Sequence, residues 1–373
     1  PAGHAATRDP LRFHQRLHGY APSPLIDAPE IAQALGVGQV LLKDESSRFG
    51  LPAFKILGAS WAVYRALDAR VGGFKDWESL DDLARQLEPL HPLALTAATD
   101  GNHGRAVARM ARLLGIDSHI YVPADMAQAR MDAIASEGAE VIVFDGTYDE
   151  AVARSAEDAS EHCLVISDTS WAGYEDVPGW VIEGYSSILW EVDDELERRG
   201  ESGPDIVAVQ IGVGALAAAV VGHYRRAELP EPQQPRLIGV EPLRAACMLA
   251  SMEAGGITSI PGPHDSIMAG LNCGEPSMLA FPVVSAGTDL FVAVDDERAR
   301  EGMRLLAGSN VVAGETGAAG LAGLLELLQG PDANHHRSCL DITSSSRILT
   351  FITEGATDPD AYARILGRVM RDA

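Results

Sequence analysis

Short apolar runs alternate with longer stretches of helical periodicity along most of this chain. Residues 93–96, 118–122, 140–144 and 164–166 read as strands, with helices predicted from about His103, over 127–137 and over 148–159. A second series begins after Pro178. Its first member is a helix over 180–198, with apolar Val181, Ile182, Tyr185, Ile188 and Leu189. A strand at 206–211, a helix to Arg226, and strands at 237–241, 291–294 and 348–352 follow, the last two each leading into a helix. Such alternation predicts α/β architecture with mostly parallel, twisted sheets flanked by helices. The segments 254–276 and 332–346 are rich in turn-forming residues and predict loops, the second one exposed and mobile. No self-similarity recurs at a period of about 20–50 residues, so a repeat architecture is not expected.

A length of 373 residues provides for two domains. The expected division is 1–76 with 179–373 as a large domain, and 77–178 as a small one. The formal charge of −24 argues against nucleic acid or an anionic membrane as partner, since both require basic surface. A small anionic ligand remains compatible, because it needs only a local set of donors. The longest apolar run, 211–222, falls short of the roughly 20 residues a bilayer span needs. No secretory leader pattern opens the chain, and Cys163, Cys247, Cys273 and Cys339 have no CxxC spacing. The expectation is a cytoplasmic protein with reduced thiols and no metal site.

Three segments carry candidate chemistry. Gly212-Val213-Gly214-Ala215-Leu216 follows a strand and opens a helix, where backbone N–H groups and the positive helix end attract an anion. With Ala217 it also satisfies the dinucleotide pattern G-x-G-x-x-A, and Glu241 ends the next strand where a ribose ligand would sit. Lys55, among Ala53, Phe54, Ile56 and Leu57, is an amine in apolar surroundings, which favour the neutral form needed for imine chemistry. In Thr99-Asp100-Gly101-Asn102-His103-Gly104 a strand end turns into a helix N-terminus, a second place for an anion. Each segment alone has an ordinary structural explanation: a packing turn, a solvated lysine, a helix cap. Together they supply the parts for binding pyridoxal phosphate as a Schiff base. The nicotinamide reading leaves Lys55 and the second turn without a role.

These residues resemble the fold-type II pyridoxal-phosphate enzymes, the tryptophan synthase β-like group of dehydratases and cysteine synthases, and among them the diaminopropionate ammonia-lyase family. The resemblance runs from about residue 26 to 359. It is sharpest in 43–55, in 99–104, in Asp168-Thr169-Ser170-Trp171 with Gly173-Tyr174, and in 354–359. It implies that Lys55 holds the cofactor and acts as a base, with Phe54 and Asn102 against the ring and Thr353 facing the pyridine nitrogen. It also implies that Gly212, Val213, Gly214, Ala215 and Leu216 cradle the phosphate. Ala215 departs from the serine expected there, which removes one hydroxyl donor. Thr99, Asp100, Gly101, His103 and Asp168 would meet the substrate.

Asp100 distinguishes the resemblance from serine and threonine dehydratases, which carry a small residue there. It would give a second base for D- and L-substrates, with Asp168 assisting catalysis. The implied reaction is elimination from 2,3-diaminopropionate through aminoacrylate to pyruvate and ammonia, in a homodimer. Cys247 and Cys273 recur near the site entrance of this family. Elimination from serine, threonine or another substituted alanine is one alternative. A non-catalytic regulatory protein that binds the cofactor or an amino acid is the other.

Overall fold

The computed structural model describes residues 7–367 except 100, 125 and 147. Ten strands form two sheets: β1 Leu25–Asp27, β2 Gln39–Asp44, β3 Ala94–Ala98, β4 Asp117–Pro123, β5 Glu140–Phe144, β6 Cys163–Val165, β7 Ile206–Gln210, β8 Arg236–Pro242, β9 Leu290–Val294 and β10 Arg347–Ile352. The chain divides into two compact units, one of Pro22–Phe54 with Ile188 onward, the other of Thr7–Ala21 with Lys55–Ser187. This division groups 7–21 and 55–76 with 77–178 and carries that unit on to 187. The architecture is α/β, with two mostly parallel sheets flanked by helices.

The six-stranded sheet of the first unit has the order β1-β2-β10-β7-β8-β9, parallel except for β1. Every residue of β7 is buried, as expected of a strand covered on both faces. The helix Ala319–Gln329 buries Leu321, Leu324, Leu325 and Leu328 in a core shared with Ile206, Ile238, Val240 and Ile348. In the second unit, β5-β4-β3-β6 run parallel. The helix Asn102–Leu114 follows β3 and presents Ala106, Val107, Met110 and Ala111 to the interior.

Within that second unit, the helix Lys55–Val71 meets the first half of the long helix Asp176–Arg199. A Cβ on Gly58 would lie 2.5 Å from the Tyr185 ring, and one on Gly184 would lie 2.5 Å from the Leu57 carbonyl oxygen. Only glycine permits backbones to approach this closely. Trp61 Nε1 adds a hydrogen bond to Glu183 at 2.9 Å.

Two expectations need correction. Residues 332–346 are not simply a loop, because they contain the helix Ala333–Cys339, after which Leu340 and Ile342 are buried. Strand β2 and the helix Leu80–Leu87, capped by Ser79, were not foreseen. No helix among the described residues is long and apolar enough to cross a membrane.

Candidate active site

The chain contains three lysines, Lys43, Lys55 and Lys75. Lys43 is 1% exposed and spends its ammonium on the Ser23 carbonyl (2.8 Å) and Glu191 (2.6 Å). Lys75 stands in solvent. Imine chemistry needs an amine that is sheltered yet reachable. Lys55 meets that requirement, as the first residue of its helix with a side chain 19% exposed.

Lys55 Nζ donates to Asp168 Oδ2 at 2.7 Å. Asp168 lies three residues beyond β6, on a segment fixed by Tyr174. The phenol of Tyr174 donates to the Val165 carbonyl (2.7 Å) and accepts from the Ser167 N–H (3.0 Å). Burial keeps that phenol protonated, and its ring stacks on Trp171 at 4.2 Å. The Asp168-Thr169-Ser170-Trp171…Tyr174 motif is therefore a device for holding one carboxylate still.

His103 stands behind this pair. It is 2% exposed, and burial lowers its pKa, with Asp168 opposing and Lys55 reinforcing the shift. Its Nε2 lies 2.7 Å from the Ile166 carbonyl, which can only accept, so Nε2 carries the hydrogen of a neutral ring. Nδ1 is then a bare lone pair, buried without a hydrogen-bond partner, 3.9 Å from Asp168 Oδ2. At 2.7 Å from the amine, Asp168 is placed to take a proton from Lys55 and return it. His103 supports Asp168 from inside the unit instead of lying open to substrate.

Asp100 lies outside the described residues. On either side of it, Thr99 Oγ1 accepts from the N–H groups of Gly101 (2.9 Å) and Gly104 (3.0 Å) and closes the turn. The N-cap Gly101 has φ 143° and no side-chain cap bond. Thr99 is therefore the fastener of the turn. The turn leads into the first turn of the helix Asn102–Leu114, whose positive end suits a carboxylate.

In the first unit, Gly212–Leu216 joins β7 to the helix Ala215–Tyr224. The N-cap Gly214 has φ 102°, a left-handed conformation that favours glycine, and brings no side chain of its own to cap the helix. A Cβ on Gly214 would come within 2.9 Å of Met248 Cε. Val213, Ala215 and Leu216 bury their side chains, so the loop offers an anion its backbone N–H groups. Ala215 adds no hydroxyl, as the sequence indicates. A helix N-terminus in a glycine turn fits a phosphate.

Thr353, just past β10, is 2% exposed, and its hydroxyl accepts from Gln210 Nε2 at 2.8 Å. The hydroxyl hydrogen points to the Thr316 carbonyl at 3.5 Å, a long contact that it could exchange for a closer acceptor such as a pyridine nitrogen. Gln210, which also donates to the Thr316 and Phe351 carbonyls, was not foreseen as a site residue. Phe54 is 7% exposed and its N–H donates to the Thr353 carbonyl at 3.3 Å. Cys247 and Cys273 are buried beside the loop. Cys247 Sγ is 3.8 Å from the Gly212 carbonyl oxygen, and Cys273 Sγ is 3.3 Å from where a Gly212 Cβ would lie.

Glu241 decides against the dinucleotide reading of the loop. It is 1% exposed, and its two carboxylate oxygens accept from the N–H groups of Met248 and Leu249, each at 2.8 Å. It caps the helix Cys247–Ala254 and is buried out of reach of a ribose. Burial pushes its pKa up to about 7 against the pull of those two N–H groups. The folded chain therefore binds this proton more tightly than the unfolded one, and the associated stability is lost as pH rises from about 4.5 to about 7. Glu241→Gln should gain on the wild type in melting temperature across that window. A difference between the two that does not vary with pH would contradict the assignment.

A family model described as "Pyridoxal-phosphate dependent enzyme" matches residues 17–340. The chain belongs to this family. Within it, the chain is 36% identical to the diaminopropionate ammonia-lyase of Escherichia coli K12, over 95% of this chain and 89% of that one. It is 35% identical to the Salmonella typhimurium enzyme of that name, over 95% and 90%. The crystal structure of the Escherichia coli enzyme "in complex with aminoacrylate-PLP azomethine reaction intermediate" matches with a TM-score of 0.85 at 35% identity, covering 96% of this chain and 90% of that one. Maize serine racemase, at 24% identity and a TM-score of 0.71, shares the fold. Membership in this family makes pyridoxal phosphate the cofactor of this chain.

Proposed function

We infer that this chain is a pyridoxal-phosphate-dependent ammonia-lyase that converts 2,3-diaminopropionate to pyruvate and ammonia by α,β-elimination. The observation that carries the reading is the 2.7 Å pair of Lys55 and Asp168, backed by the bare Nδ1 of His103. It stands in a chain more than one third identical, over nearly its whole length, to enzymes named for this reaction. Bound pyridoxal phosphate would supply the electron sink that acidifies the substrate α-C–H.

The chain's own residues do the rest. The N–H groups of Gly212–Leu216 would hold the phosphate. Thr353 would present a neutral hydroxyl to the pyridine nitrogen, a partner that does not protonate the ring and so suits elimination over transamination. Asn102 would donate to the ring oxygen, Phe54 would pack against the ring, and the first turn of the Asn102–Leu114 helix would take the substrate carboxylate. Lys55 would remove the α-proton from one face, and Asp168 would hold a proton at Oδ2 for delivery to the leaving amine. Asp100 would serve the opposite face and attract the β-ammonium group. The proposal places the enzyme in the cytoplasm as a homodimer, on the strength of the resemblance.

Ammonia release from diaminopropionate, serine and threonine, assayed side by side, tests the reading. Diaminopropionate should turn over fastest, and faster turnover of serine or threonine would replace the proposal with a dehydratase. Asp100→Asn should harm the D-isomer by roughly 10²-fold or more, the scale of a lost general base, and the L-isomer much less. Equal losses for both isomers would remove Asp100 as a second base.

A further inference from the structure

Four fully buried charges meet in the first unit, none of them used in the site above. Arg48, Lys43, Glu45 and Glu191 have side chains no more than 2% exposed. Arg48 grips both carboxylates with two bonds each: Nε and Nη2 to Glu45 at 2.8 and 2.6 Å, Nη1 and Nη2 to Glu191 at 2.8 and 2.7 Å. Lys43 donates to Glu191, and Ser23 joins through its N–H to Glu191 (3.1 Å) and its hydroxyl to Glu45 (2.5 Å). Two cations and two anions balance. Apolar residues of similar volume would commonly be no less stabilising in such a place, so the network calls for an explanation beyond stability. What apolar packing cannot supply is direction, since paired hydrogen bonds fix where a guanidinium and its backbone stand.

That backbone is the approach to Lys55. Arg48 and Leu51 exchange hydrogen bonds of 2.8 and 2.9 Å around a two-residue turn in which Phe49 (φ 51°) and Gly50 (φ 72°) are both left-handed. Both central residues at positive φ mark a type I′ turn, and a phenylalanine adopts that conformation only when its surroundings hold it there. From the turn the chain is stitched to the end of β10. Glu45 N–H donates to Ile352, Phe54 N–H to Thr353, and Gly355 N–H to Pro52, at 2.9, 3.3 and 2.9 Å, and Ala53 bridges to Glu354. Lys55 is the next residue.

We propose that Arg48 and Glu191 are positioning residues for the reaction: by locking the 48–51 turn, their buried network sets where the chain delivers Lys55. The proposal rests on the reading of Lys55 as the cofactor-holding base. Glu191→Gln leaves the network with one unbalanced positive charge and two weakened Arg48 bonds. The double variant Lys43→Met, Glu191→Gln restores charge balance while still depriving Arg48 of its second carboxylate.

The experiment measures, for the wild type and both variants, melting temperature, kcat and KM for diaminopropionate. It also measures the fraction of Lys55 trapped by borohydride as pyridoxal phosphate is titrated. Glu191→Gln should lower kcat by about tenfold or more, the scale of displaced catalytic groups, with KM changed far less. The double variant should recover most of the melting temperature yet keep the kcat defect and need more cofactor for half-trapping. Should Glu191→Gln not fold, the double variant decides alone. Recovery of kcat along with melting temperature, or wild-type trapping and kcat in Glu191→Gln, would overturn the proposal. A wild type that is trapped at Lys55 but releases no ammonia would instead overturn the substrate reading, and the trapping titration would still decide the positioning role.

Discussion

Lys55→Ala should lose the cofactor's visible absorbance and lower turnover by at least ~10⁴-fold, since it removes both the point of attachment and a base that alone accounts for roughly 10²–10⁴. The other two lysines offer no substitute. Lys43 is held by Glu191 and the Ser23 carbonyl, and Lys75 is on the surface. The fold should survive, because the helix starts at Lys55 and is secured further along, at Gly58 and Trp61. The check is a spectrum, a melting curve and a pyruvate assay on the same preparation. Unchanged turnover would take Lys55 out of the mechanism.

The second large effect is expected at Asp168. Asp168→Asn keeps the shape but removes the charge 2.7 Å from the Lys55 amine and the proton acceptor that faces His103. Turnover should fall by roughly 10²–10³-fold, the range for a positioned proton-transfer group. The pH profile should also move. A nearby carboxylate favours an ammonium, so its removal lets the amine become neutral at lower pH. The acidic limb of kcat should therefore shift downward as the maximum falls. A lower maximum with an unmoved limb would mean that Asp168 serves only to bind substrate.

The main strands were legible because parallel strands covered on both faces read as continuous apolar runs, as β3, β7 and β10 do, while β5 and β9 are apolar runs despite their partial exposure. β2 was hidden because Lys43 sits in it, a charge that looks like a strand end until Glu191 is seen to bury it. β1 is three residues long, too short to show a period. The helix Ala333–Cys339 is polar, with no buried residue of its own, so its sequence reads as loop.

At the site, the sequence revealed those residues whose chemistry is unusual for their position, chiefly Lys55 and the glycine loop. It did not reveal partners that act only through distance. Gln210 reaches Thr353 across 143 residues, and Glu191 reaches Arg48 across the same interval. His103 was visible as part of a turn motif, but its bare Nδ1 follows from the Ile166 carbonyl 63 residues away. Glu241 shows the opposite failure, since its place after β8 matched a ribose ligand until the helix Cys247–Ala254 was found to occupy it.

The most direct test uses the small number of lysines. The protein as purified with pyridoxal phosphate is reduced with borohydride and digested, and the pyridoxyl mass is mapped among the peptides containing Lys43, Lys55 and Lys75. The label should fall on Lys55 alone, at close to one per chain. Label on Lys43 or Lys75 in place of Lys55, or no label from a folded preparation, would contradict Lys55 as the point of attachment.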